Sequence, residues 1–235
     1  HEQAGNPGSP EDLGLLVTSP VVTPSMIARL VAMRADVMVV VEDAGNVDAL
    51  AQACAAAGRR LPVLVEIDVG QNRTGVASAL QAVSLARQVA ASAQLEYRGI
   101  QAYWGHLQQV PEFTARRGVV RQQAEIVRSA IAALRDAGLP PVIVTGGGTG
   151  TALIDAELGV FTELQPGSYL FMDSSYRRGL LWPDGVAPFE TSLFVSANVV
   201  SVNRAQHAVI NAGLKSFATD SGLPLAVRGA RRVER

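Results

Sequence analysis

The stretch "VTGGGTGTALIDAELG", Val144 to Gly159, decides the fold. A short apolar run, "PPVIVTGG", has the length and β-branched content of a buried strand. Three consecutive glycines, Gly146 to Gly148, follow it, and "GTGTALIDAEL" then reads as a short helix. Strand, glycine turn and helix in this order carry two readings. One is a connector that uses glycine for tight geometry. The other is an anion nest: backbone N–H groups converge, Thr149 adds a hydroxyl and the helix contributes its N-terminus. The Lys of a P-loop is missing, and other strand–helix pairs precede the stretch, so it is not the first turn of a dinucleotide fold.

Outward from this point the same unit recurs. On the N-terminal side lie "LGLLVTSPVV" and "TPSMIARLVAMRA", "DVMVVVED" and "NVDALAQACAAAG", "LPVLVEIDVG" and "ASALQAVSLARQVAAS", then "LEYRGIQAYWGH" and "RRGVVRQQAEIVRSAIAALRDAG". "FTELQPGSYLFMD" follows as a sixth strand. Thr before Pro opens the first helix and Gly138 ends the long one, as caps do. Alternating strands and helices predict a parallel sheet with right-handed crossovers. Polar and glycine-rich residues gather at the strands' carboxyl ends ("IDVGQNR", "YWGH", "TGGGTG"), where a TIM-type (β/α)8 barrel assembles its site. A cofactor bearing one phosphate suits such a barrel. Six units leave it about two short of closure, and the shortfall is expected at the beginning.

After Trp182 the rhythm changes, and "FETSLFVSANVVSVNRAQHAVINAG" reads as two or more strands of an incomplete β-rich domain. The expected division is 1–12 as linker or loop, 13–182 as partial barrel, and 183–235 as part of a C-terminal β domain with a solvated basic tail, "RGARRVER". The chain has 235 residues and a formal net charge of -1, which gives no footing for nucleic acid or an acidic membrane. No apolar run approaches the roughly 18 residues of a membrane helix, and the first residues do not have the pattern of a signal peptide. A soluble cytoplasmic protein is expected. Cys54, the single cysteine, excludes an internal disulfide and reads as a small core residue.

Five motifs in order, "LVEIDVGQNRTGV", "RGIQAYWGHLQ", "VTGGGTGT", "ELQPGSYLFMDSSY" and "NAGLKSFATDSGLP", resemble the D-threonine aldolase family, relatives of D-serine dehydratase and 3-hydroxyaspartate aldolase. The resemblance covers about Leu15 to Pro224 and implies an alanine-racemase-like barrel holding pyridoxal 5'-phosphate (PLP). It further implies metal-assisted cleavage of a β-hydroxy D-amino acid to glycine and an aldehyde, with dehydratase-type elimination as the alternative, and a homodimer. By resemblance, Gly147, Gly148 and Thr149 hold the cofactor phosphate and Arg73 lies near the ring hydroxyl. Gln101, Tyr103 and His106 come from one strand end; alternation puts Gln101 and Tyr103 on the barrel side and Trp104 on the packing side. His106 is assigned to the ring or substrate. Gln165 stands where the racemases have an arginine beside the ring nitrogen, Tyr169 is placed in the barrel interior, and Asp173 and Tyr176 are weaker candidates.

The resemblance also marks two departures. The family's Schiff-base lysine lies on the first barrel strand, and the one lysine here, Lys215, matches a second-domain position instead. The family's divalent-metal pair, a histidine with Asp or Cys two residues on, is not found: His207 is followed by Val209. An incomplete sequence, a non-catalytic PLP- or phosphate-binding relative, and completion by another chain are the three explanations, the first being favoured.

Overall fold

A computed structural model of the chain describes residues 14–177, 182–219, 222–228 and 231–232. Two compact units are present, one drawn from His1–Gln108 and Arg116–Pro166, the other from Gln109–Ala115 and Gly167–Arg235.

The first unit is the strand–helix repeat. Strands β1 (Leu15–Val17), β2 (Val37–Val41), β3 (Leu61–Glu66), β4 (Leu95–Ala102), β5 (Ile143–Gly146) and β6 (Glu163–Leu164) form one parallel sheet in chain order. Helices α1 (Pro24–Val31), α2 (Ala44–Ala57), α3 (Ala79–Ala91), α4 (Phe113–Asp136) and α5 (Ala152–Leu158) connect them. The starts of α1, α2 and α3 follow from capping side chains: the Thr23, Asp43 and Ser78 oxygens accept the N–H of Met26, Asn46 and Gln81. Each such cap contributes about 1 kcal/mol. The valines of β2 and β3 are buried, as expected of strands covered on both faces, and Leu50 and Cys54 of α2 are fully buried. Cys54 is thus a core residue, its thiol pushed up by burial.

The sheet curls. Gln101 on β4 donates from Nε2 to the Thr18 carbonyl just after β1, at 2.9 Å. In a flat sheet those strands would lie about 14 Å apart, farther than one glutamine side chain reaches. Six parallel strands therefore form part of a barrel wall, as the repeat predicts.

Two elements differ from the expected ones. The sixth strand ends at Leu164, not near Asp173. Gln165 makes the last bond to the ladder, donating to the Gly146 carbonyl at 2.8 Å; Pro166 then has no N–H to offer, and the chain enters a 3-10 turn at Ser168–Leu170. The helix after the glycines begins only at Ala152 and is seven residues long, so the helix N-terminus contributes little to an anion site, and the loop's main chain must carry one.

In the second unit, Met172, Tyr176 and Trp182 form a small buried cluster, with Trp182 Nε1 donating to the Tyr176 carbonyl at 2.9 Å. Strands β7 (Val199–Arg204) and β8 (His207–Ile210), which fall in the segment expected to hold two or more strands, pair antiparallel. The short strands β9 (Val227–Arg228) and β10 (Arg231–Arg232) also pair, so part of the basic tail is structured. The expected linker of residues 1–12 lies outside the described residues.

Candidate functional site

The carboxyl ends of β3, β4, β5 and β6 carry a polar layer at one register. Glu66 pairs with Gln101, Gln101 with Thr145, and Thr145 with Glu163. Residues paired in a parallel ladder point to the same face, so the four side chains share a level of the barrel wall. Thr145 Oγ1 donates to Glu163 Oε1 at 2.8 Å. Gln165 Nε2 reaches the Gln101 Oε1 at 3.1 Å and Thr145 Oγ1 at 3.0 Å. The Gln101 carboxamide, itself buried, thus ties β6 to the segment after β1.

Glu66 is the charge in this layer. It is 2% exposed, and its Oε1 accepts from Thr74 Oγ1 at 2.9 Å and lies 3.7 Å from Arg73 Nη2. Oε2 has no hydrogen-bond partner among the described residues. Burial pushes the carboxyl up, Thr74, Gln101 and Arg73 pull it back, and Glu42 adds to the rise.

Arg73 stands on a loop built for it. Asp68 Oδ1 accepts the N–H groups of Gly70 and Asn72, and Val76 returns to the sheet by donating to the Glu66 carbonyl. Gly75 sits at φ 109°, and a Cβ there would stand 2.4 Å from the Asp68 nitrogen, so only glycine closes this turn. Its N–H donates to Glu42 Oε2. The result presents the Arg73 guanidinium, partly exposed, 5.4 Å from the centre of the Tyr103 ring.

Beyond β4 the two aromatic residues part as alternation predicts. Tyr103 meets Arg73, whereas Trp104 is fully buried and packs against Phe161 with ring centres 4.7 Å apart. His106 is exposed on the 3-10 turn Gly105–Leu107, beside Gly70 and the Gln123 carboxamide of α4. It takes no part in the hydrogen bonds that join Gln101, Thr145, Glu163 and Gln165.

The glycine loop follows β5. Thr149 and Thr151 are both buried. The space beside three glycines is taken: a Cβ at Gly147 would stand 2.3 Å from Asp155 Oδ2, at Gly148 2.6 Å from Gln108 Oε1, and at Gly150 2.0 Å from the Gln108 carbonyl. Glycine therefore leaves the main chain bare, and bare main chain is what lets an anion approach N–H groups closely. A phosphate-bearing cofactor fits here, with Arg73 as a cation at the same strand ends.

Arg73, Tyr103, Gln101 and Gln165 come together at the carboxyl ends of β3, β4 and β6, and the glycine loop leaves the neighbouring β5. Tyr169 is not in the first unit: it lies in the 3-10 turn of the second, its ring 5.4 Å from that of Phe189. Its expected place in the barrel interior rested on a strand that ends five residues earlier. Asp173 and Tyr176 also lie in the second unit, where Asp173 Oδ1 caps the N–H of Tyr176. Glu66, Thr145, Glu163, Gln108 and Asp155 were not singled out by the sequence, although one charge inside the apolar run "VLVEI" was a readable signal for Glu66. Among the described residues no group of three His, Cys, Asp or Glu side chains is placed to hold a metal ion, and no helix is long and apolar enough to cross a membrane.

This arrangement matches known proteins. Over 210 residues the chain is 41% identical to D-threonine aldolase of an Arthrobacter species, spanning 88% of this chain and 55% of that one. It is 38% identical over 218 residues to 3-hydroxy-D-aspartate aldolase of Paracoccus denitrificans, spanning 89% and 56%. The crystal structure of D-threonine aldolase from Filomicrobium marinum superposes with a TM-score of 0.86 at 39% identity, over 90% of this chain and 58% of that one. Alanine racemase of Clostridium difficile, 15% identical with a TM-score of 0.58, shares the fold. The chain thus spans little more than half the length of the curated aldolases it matches. The pattern of the alanine racemase N-terminal domain matches residues 11–175, and the chain belongs to that family.

Proposed function

We propose that the chain carries the cofactor-binding wall of a PLP-dependent lyase of the D-threonine aldolase type, which cleaves a β-hydroxy D-amino acid to glycine and an aldehyde. The observation that carries this reading is the 41% identity to D-threonine aldolase, sustained over 210 residues. A dehydratase relative from Delftia is more distant, at 30% over 181 residues. PLP, when bound, supplies the electron sink for the pair released as the bond between Cα and Cβ breaks.

The chain's own residues have separate tasks. Gly147, Gly148 and Thr149 line the phosphate site, with the Gly147 and Thr149 N–H groups and the Thr149 hydroxyl as its donors and Gly148 allowing the close approach. Arg73 binds the ring oxygen as a fixed cation, oriented by Glu66 on one side and the Tyr103 ring on the other. Gln165 meets the ring nitrogen with a neutral carboxamide, its Nε2 already committed to Gln101 and Thr145. A neutral partner does not hold a charge against that nitrogen, which separates this site from one built around an arginine. His106 would face the substrate and take the proton of its β-hydroxyl. The assembled enzyme is a homodimer in this reading.

The test is direct. The full-length protein, loaded with PLP and a divalent cation, is incubated with D-threonine and with L-threonine, and glycine, acetaldehyde and ammonia are measured. Glycine and acetaldehyde in equal amounts from the D isomer alone are expected. Ammonia with a 2-oxo acid would replace the aldolase reading by elimination, and no turnover of any β-hydroxy D-amino acid would refute both.

A further inference from the structure

Behind the glycine loop lies a buried relay of side chains that the proposed chemistry does not use. Thr151 Oγ1 donates its one proton to Asp155 Oδ2 at 2.6 Å. The same oxygen accepts from Gln108 Nε2 at 3.0 Å and from Trp104 Nε1 at 3.4 Å. With Nε2 held on Thr151, the Gln108 carboxamide has one orientation left, and its Oε1 accepts the Gly150 N–H at 2.9 Å. The Gly148 N–H points to the Asp155 carboxyl from the other side. Each donor therefore has its direction set by the one acceptor at the end, Asp155. Remove that acceptor and the threonine proton can turn to the Gly148 carbonyl, 3.5 Å away, so that Gln108 loses the directed bond to Thr151 and is held only by the Gly150 N–H and the Trp104 carbonyl.

The relay also shapes the loop by contact. At Gly147, Gly148 and Gly150 the atoms nearest a Cβ belong to Asp155, Gln108 and Gln108 respectively. Yet Asp155 is a poor choice for stability alone. It is 2% exposed, its Oδ1 has no hydrogen-bond partner among the described residues, and burial holds its carboxyl far above the usual carboxylate range. An apolar residue of similar size would fill the space without that cost. A costly buried acid retained against a bare main-chain loop has its return in what the loop does.

We propose that Asp155, acting through Thr151 and Gln108, is a positioning residue for phosphate: the relay holds the main chain of Gly147–Gly150 in the arrangement that receives the cofactor's phosphate group. This rests on the reading of the loop as a phosphate cradle. Asp155 does not touch the phosphate; it orders the groups that do.

The experiment compares two probes, PLP and pyridoxal, the second lacking the phosphate, titrated against the full-length protein and its variants by fluorescence, with circular dichroism and thermal melting alongside. Asp155→Ala and Thr151→Val are expected to weaken PLP binding at least about tenfold, the loss of one well-placed hydrogen bond or more, and to leave pyridoxal affinity unchanged. Asp155→Asn and Thr151→Ser keep the relay's acceptor and hydroxyl, so both are expected to restore PLP affinity to the parent value. Equal losses for PLP and pyridoxal would overturn the proposal, because the pair would then act on the fold and not on the phosphate. So would parent-like PLP affinity in Asp155→Ala and Thr151→Val. Gly148→Val separates the two levels: if it abolishes phosphate preference while the relay variants keep it, the cradle stands and the relay falls; if it leaves PLP binding intact, both fall.

Discussion

Asp155→Asn should change how stability depends on pH. The Asp155 carboxyl is pushed up from an ordinary 3.8 to about 7, chiefly by burial, with hydrogen bonds from Thr151, Gly148 and Trp104 pulling it partly back. The folded state thus holds the proton more tightly than the unfolded chain does. Below pH 3.8 this advantage is fully present; it drains away as pH rises, and above about 7 none is left. Across that window each pH unit is worth about 1.4 kcal/mol, so the whole span is roughly 4 kcal/mol, more than half of it falling between pH 5 and pH 8. Asparagine has the same shape, keeps an acceptor for Thr151, and does not titrate. Urea unfolding of the parent and of Asp155→Asn at pH 5, 6, 7 and 8 gives the difference in stability at each pH. Every other titrating group, Glu66 included, is common to both proteins and cancels. The variant should gain on the parent steadily up to about pH 7 and then hold its lead. Parallel curves over the four points would refute the reasoning, since they would mean that Asp155 takes up no proton on folding in this range.

Three further outcomes are expected. Gly148→Val should weaken PLP binding more than Arg73→Ala, because a Cβ 2.6 Å from Gln108 Oε1 displaces the loop itself whereas Arg73 supplies one contact; fluorescence titration of the two variants decides it, and the opposite order would move the phosphate away from the loop. Arg73→Ala should raise the Glu66 carboxyl still further, since it removes the cation 3.7 Å away; a 13C NMR titration of that carboxyl in both proteins shows the direction, and a fall would mean that Arg73 does not neutralise it. Leu50→Ala, at a fully buried position on α2, should cost about 2–5 kcal/mol by urea unfolding, and a cost below about 1 kcal/mol would mean that α2 is not seated on the sheet as described.

Much of the first unit was legible because its signals are local. "VMVVV" has the unbroken apolar content of a strand covered on both faces, and β2 occupies Val37–Val41. Thr23 before Pro24 is a cap ahead of an apolar period, and the first helix starts one residue after it. The sixth strand misled because "FTELQPGSYLF" carries aromatic residues and a leucine on both sides of a proline. What ended β6 was a single missing N–H at Pro166, and propensity summed over a window does not see one missing donor. The seven-residue α5 misled in the same way: Gly150 and Thr151 read as the first helical turn but are held by Gln108 and the Gly148 carbonyl instead.

The site was legible only where a residue's own neighbours announce it. Arg73 and Gln101 stand at strand ends among polar residues, and strand alternation separated Tyr103 from Trp104. Gln108 gives no such sign, because its meaning lies in a bond to Gly150, 42 residues on. That bond still follows from topology once the strand order is known. β4 and β5 are neighbours, with Ala102 paired to Gly146. In a parallel sheet the residues that leave one strand end run beside those that leave the next, so the segment after Ala102 must pack on the segment after Gly146. Trp104 and Gln108 are the long side chains there, and three glycines with two buried threonines are what they can meet. Large residues on one loop and small ones on its neighbour are complementary in volume. The run of glycines at Gly146–Gly148 therefore makes room three times over: Gly146 for the Ala102 carbonyl and the Phe161 ring, Gly147 for Asp155, and Gly148 for Gln108.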